Sequence, residues 1–242
     1  MRMTRPIASR ELLSFRRTGF GPFLATAYLI LTGTLWVYAL HTHEGEVITP
    51  LALWVQLHAT LLPLLAMFAT LRTFAAERAQ GTLEVLQASP APSSGIVMGK
   101  YFAALVVTWG ILALAALGPF MMLPNVVAGA GAEVSFIALL AGFLMLALQA
   151  AFWTALGILL SVVLRSQALV ATSALLLAGV LPHGLRFFNV ALLFPLVHPQ
   201  PVALDAMDGV LSFFPVACYA APTPALLFVA ARVFDLHLFK TR

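Results

Sequence analysis

Only 9% of the 242 residues carry a charge, yet Glu77, Arg78 and Glu84 stand close together, and Lys100 follows them directly after Gly99. They lie in the stretch 73–100, TFAAERAQGTLEVLQASPAPSSGIVMGK, which is too polar for hydrocarbon and far longer than a bare connection between two helices needs. Gly81 interrupts the stretch. Thr82 is placed to N-cap a short helix of about 83–88 that begins at Leu83, and Glu84 falls in its first turn, where a carboxylate suits the helix dipole. The Pro90 and Pro92 turn closes this helix, and Ser93 or Ser94 is positioned to cap the next. A capped helix with Glu77, Arg78 and Glu84 facing the cytosol is suited to docking a partner. A solvated connecting loop is the plainer reading of the same residues.

Other groups offer weaker chemistry. His41, His43, Glu44 and Glu46 could ligate a divalent metal, although a polar loop has the same composition. His58 and Gln149 are polar residues inside apolar runs, where they either line a polar path or hydrogen-bond between helices. The single cysteine, Cys218, excludes an intrachain disulfide and any CxxC motif. The sequence contains no GxxxxGK[ST] phosphate loop, HExxH or GxSxG, so neither catalytic residues nor a cofactor or metal site is expected in this chain.

The elements that must position these residues are membrane helices. Hydrophobic residues make up 62% of the chain and the mean hydropathy is +0.99, a balance that suits lipid rather than water. In hydrocarbon every backbone amide needs a partner, and the apolar runs are too long and unalternating for barrel strands. The expected class is therefore an all-α integral membrane protein, one transmembrane domain over 1–242, with six spans at 19–40, 51–71, 101–123, 134–164, 168–185 and 209–234. Pro119 is a candidate kink in the third span, and Pro215, Pro222 and Pro224 should bend or break the sixth. In the leading segment 1–18, Ala8, Leu12 and Phe15 share a helical face and arginines occupy the others, which fits a helix lying in the membrane interface. Lysine and arginine concentrate before the first span, in 72–100, at Arg165 and at the end of the chain, so both termini are expected in the cytoplasm. The net charge of +4 thus reflects membrane topology rather than affinity for nucleic acid.

Glu77-Arg78, Gly81-Thr82-Leu83-Glu84, Pro90 and Gly99-Lys100 resemble the E-[RK]-x-x-G-T-[LM]-E-x-L…P…GK pattern of type-2 ABC transporter permeases. The likeness is greatest to gliding-motility-type permeases and to those of copper maturation for nitrous oxide reductase. It extends to Arg10-Glu11-Leu12, to 164–167 and to Asp208-Gly209-Val210. The resemblance implies a permease subunit in a bacterial inner membrane, exporting or acting on an envelope substrate. Its partners would be a separate ABC ATPase that binds ATP and Mg, a second permease copy or related chain, and in some systems an auxiliary envelope protein. It places Glu77, Arg78, Gly81, Thr82, Leu83 and Glu84 at or near the coupling interface, with Gly99 and Lys100 fixing the start of the third span. The alternative is a non-transport assembly factor for cytochrome or copper-site maturation.

Overall fold

A computed structural model describes residues 4–42, 50–82, 91–130, 136–180 and 213–240, and they are helical almost throughout. In chain order the helices are α1 (Thr4–Arg17), α2 (Phe20–Thr42), α3 (Pro50–Thr70), α4 (Ala75–Ala79), α5 (Ser93–Ala130), α6 (Phe136–Val163), α7 (Gln167–Ala174), α8 (Phe213–Ala220) and α9 (Pro222–Lys240). A π-helical turn, Leu175–Val180, continues α7. Among these residues five helical stretches are long and apolar enough to cross a membrane: Phe20–Thr42, Leu51–Ala79, Ser93–Gly118, Leu140–Val163 and Phe213–Leu236. The fifth run expected from the sequence is represented by the shorter apolar stretch Gln167–Val180, and its remainder, 181–185, lies outside the described residues.

One of these elements extends past the sequence reading. The run 101–123 lies inside a longer helix: α5 starts at Ser93 and passes Pro119 to reach Ala130, so it reaches into the outer loop expected at 124–133. At the start of α5 the Pro92 carbonyl accepts from the Gly95 and Ile96 amides at 2.8 and 3.1 Å. The proline-rich last run does divide, at Ala221 between α8 and α9.

The bundle is held by packing of small and aromatic residues. Near one end, the Trp54 indole donates to the Ala115 carbonyl at 3.3 Å, its ring lies 5.2 Å from that of Phe143, and Gly118 sits against Trp36. That level therefore joins α2, α3, α5 and α6. Between α3 and α6 the close approach depends on Gly157, where a Cβ would lie 3.2 Å from Met67 Cα and collide with the Thr70 hydroxyl. Glycine at a crossing lets backbones meet where lipid supplies no hydrophobic drive for association. At the other end, Phe74 is fully buried against Phe234 of α9, with ring centroids 5.3 Å apart.

α1 is not a free arm. It lies along the start of α5 with Ile7, Ala8, Glu11, Leu12 and Phe15 turned inward and Arg5, Arg10, Arg16 and Arg17 exposed. Gly99 makes this seating possible, because a Cβ there would come within 2.7 Å of Ile7 Cγ2 and 3.2 Å of the Thr4 carbonyl.

Candidate functional site

Of the charged residues singled out in 73–100, Glu77 is paired with Lys100. The lysine side chain is 1% exposed, and its ammonium donates to Glu11 Oε1 at 2.7 Å, Glu77 Oε1 at 2.8 Å and the Thr73 carbonyl at 2.9 Å. An ammonium has three protons to donate, and here each finds an acceptor. The Phe74 ring lies beneath it, 5.1 Å from ring centroid to Nζ, so the cation also meets an aromatic face. One lysine of α5 thereby ties α1, through Glu11, to the segment that leads into α4. Sequence reasoning placed Lys100 at the start of the third span but did not identify Glu11 as its partner. The available signal was an acidic residue beside Ala8 and Leu12 on the apolar face of α1, which demands a buried cation.

The short α4 has no capping side chain of its own, since Phe74 occupies the N-cap position. Ser161 of α6 supplies the missing acceptor from across the bundle. Its Oγ receives the Phe74 and Ala75 amides at 3.1 and 3.3 Å and is hydrogen-bonded to the Thr73 hydroxyl at 3.1 Å. Arg78 makes the reciprocal connection. Its guanidinium donates to the Leu164 and Val162 carbonyls at 2.6 and 2.9 Å, so it caps the C-terminal end of α6, where the helix dipole is negative. Beyond α4, Gly81 adopts φ +67°, the Gly81 amide donates to Arg78 O at 3.3 Å and the Thr82 amide to Glu77 O at 3.0 Å. These are the two bonds of a Schellman motif, which requires a left-handed residue at Gly81's position.

Glu77 and Arg78 are thus turned into the protein, not to the cytosol as the sequence reading had them. Gly81 and Thr82 are exposed, and Leu83 and Glu84 lie outside the described residues. Thr82 donates its hydroxyl back to the Glu77 carbonyl at 3.3 Å; the helix it was expected to cap also falls outside them.

The two intramembrane polar residues are closed into the core. His58, 1% exposed, stacks on Trp54 at 4.0 Å with Nδ1 2.8 Å from the Trp54 carbonyl, and Gln149 donates to the Ala59 carbonyl at 2.7 Å. His41 is exposed on α2 with Nδ1 2.8 Å from the Val37 carbonyl, whereas His43, Glu44 and Glu46 lie outside the described residues.

What the arrangement can do is mechanical. The residues 73–82, which leave the second membrane helix, are joined by side-chain bonds to α5 and to the end of α6, and through Lys100 to α1. A displacement of this segment must therefore move those helices or break buried polar contacts. A search of curated proteins finds no match to the chain. Residues 15–229 match the model of one family, ABC-2 family transporter protein, a stretch that takes in the whole of 73–100 and every span except the end of the last. The chain belongs to the ABC-2 transporter family and is a multi-pass membrane permease of an ABC transporter, whose family implies an ABC ATPase as partner.

Proposed function

We propose that this permease exports or works on an envelope substrate from a bacterial inner membrane, as a dimer with itself or a related chain, driven by a separate ATPase that binds ATP and Mg. The subtype is that of the gliding-motility and copper-maturation permeases, on the motif residues from Glu77 to Lys100. The ATPase docks on the segment beginning at Gly81 and Thr82 and continuing through Leu83 and Glu84. Glu77, Arg78, Gly99 and Lys100 lie behind this surface and transmit its displacement.

The carrying observation is that residues 73–82 are bonded to α5 through Lys100 and to the end of α6 through Ser161 and Arg78, while Lys100 also holds Glu11 of α1. A segment whose only task was to connect would not need them. ATP-driven closure of the ATPase pair shifts the segment, and α1, α5 and α6 follow as packed bodies; because the ATPase interacts differently with the two membrane states, it can drive the change. The bundle interior offers a site for that change to be felt. Tyr28 Oη and His58 Nε2 are buried without hydrogen-bond partners, with their rings 5.7 Å apart. Opening a path beside His58 and Gln149 would hydrate them.

Six crossings with both termini in the cytoplasm fit the packing. Arg78 meets Leu164 at the end of α6, and Phe74 meets Phe234 at the far part of α9, so both helices finish at one level. On this reading the chain crosses to the opposite side between those points, starting with α7 and its π turn, where a Cβ on Gly179 would lie 3.9 Å from Leu64.

Affinity purification from native membranes in mild detergent, followed by mass spectrometry, tests the assignment. A stoichiometric Walker-motif ATPase is expected, and Glu84→Lys should reduce its recovery while leaving the permease folded. Absence of any ATPase under conditions that preserve other membrane complexes would overturn the proposal.

A further inference from the structure

A cleft of about 200 Å³ opens between α1 and the α3–α4 junction, lined among others by Arg10, Glu11, Phe20, Arg72, Glu77 and Gln80. By the same kind of volume roughly 10–15 Å³ suffices for one water, so the cleft can hold a polar group of many atoms. Its chemistry is of both signs. Arg10 and Arg72 offer guanidinium groups of the kind that bind phosphate in a fork geometry. Glu77, which also lines the cleft, gives Oε1 to Lys100, while Oε2 is buried and accepts no hydrogen bond. A buried carboxylate oxygen without a donor is costly, and an ammonium would satisfy it.

The position of the cleft narrows the choice of ligand. Phe20 begins the first span, and Arg72, stacked 5.4 Å over the Phe20 ring, follows two residues after the second span's regular helix ends at Thr70. The cleft therefore lies at the depth where a membrane helix leaves hydrocarbon, the level of lipid headgroups. We infer that it is a binding site for a zwitterionic phospholipid headgroup carrying a primary ammonium, of the phosphoethanolamine type. The phosphate is held by Arg72 and Arg10, and the ammonium by Glu77 Oε2. A quaternary ammonium has no proton to give Glu77, and a glycerol headgroup brings no cation, so choline and glycerol lipids satisfy only the arginine side. The inference rests on the membrane setting of the fold and not on where an ATPase docks. Its consequence is that a headgroup bridges α1 and α4 beside the Lys100 network.

The test is lipid counting by native mass spectrometry after the chain is extracted from nanodiscs with equal parts of phosphatidylethanolamine, phosphatidylcholine and phosphatidylglycerol. The wild type should retain the ethanolamine lipid several-fold above its bulk share. Arg72→Gln, which leaves the Lys100 pairs untouched, and Glu77→Gln should each return the ratio to that of the bulk. Millimolar phosphoethanolamine added before extraction separates the two sources of this chemistry: displacement of the lipid shows that the headgroup alone is recognised, and no displacement that the acyl chains contribute. Equal retention of the three lipids by the wild type, or enrichment unchanged in both variants, would overturn the proposal.

Discussion

Lys100 is the residue on which this end of the bundle is organised, and its environment sets the consequence of removing it. Replacing one partner of a buried ion pair leaves the others uncompensated, a loss of about 3–5 kcal/mol. In Lys100→Met, Glu11 and Glu77 face each other with no cation between them. We expect a markedly lower thermal unfolding temperature in detergent and faster proteolysis after Arg16 or Arg17 as α1 detaches. A change in neither would show that the network is dispensable. Ser161→Ala removes the acceptor for two amides at the start of α4 and should cost about 1–3 kcal/mol by the same measurement. Lys100, Glu77 and Arg78 stood out in the sequence as sparse charges, but their direction did not. Whether a charge faces water or a carboxylate more than twenty residues away depends on tertiary packing, as does the pairing with Glu11, at a separation of 89 residues. Ser161 looked like any polar residue in an apolar run, because the uncapped helix it serves begins 86 residues earlier in the chain.

At the scale of the elements, periodicity and length carried most of the reading. The apolar runs became helices, the first close to its expected limits as Phe20–Thr42, and the break at Gly81 appears as a left-handed turn. The start of α5 was foreshadowed by the cap expected at Ser93 or Ser94, but its far end was not legible, since the run was closed at 123, before Pro124, whereas the helix passes both Pro119 and Pro124 to reach Ala130. Tight crossings also escape a hydropathy profile. Gly157 is one glycine among 16 in the sequence, and only the structure shows Met67 Cα where its side chain would go. Gly157→Val should force α3 and α6 apart, at a cost of about 1–3 kcal/mol or more, seen as loss of monodisperse protein on gel filtration or a lowered unfolding temperature. Wild-type behaviour of that variant would mean that the α3–α6 crossing tolerates a wider spacing.

For the whole molecule, the account is that force enters at one end and is passed on by rigid helices. The polar contacts are gathered there, while the large apolar residues left exposed on α2, such as Phe23, Ile30 and Tyr38, suit lipid or a second permease. Composition revealed the membrane, and charge asymmetry suggested an orientation, but neither indicated that α1, α4, α5 and α6 form one linked assembly. The most direct test places spin labels at the exposed positions Gln80 and Arg165 and measures their separation by pulsed electron resonance, in the ATPase complex with and without ATP and Mg. The expected result is a narrow distance that does not change with nucleotide, and that broadens in Arg78→Ala, where the clamp from α4 to the end of α6 is lost. A distance that shifts with ATP in the otherwise unaltered protein would contradict the account, because α4 would then move independently of the helix it is held to drive.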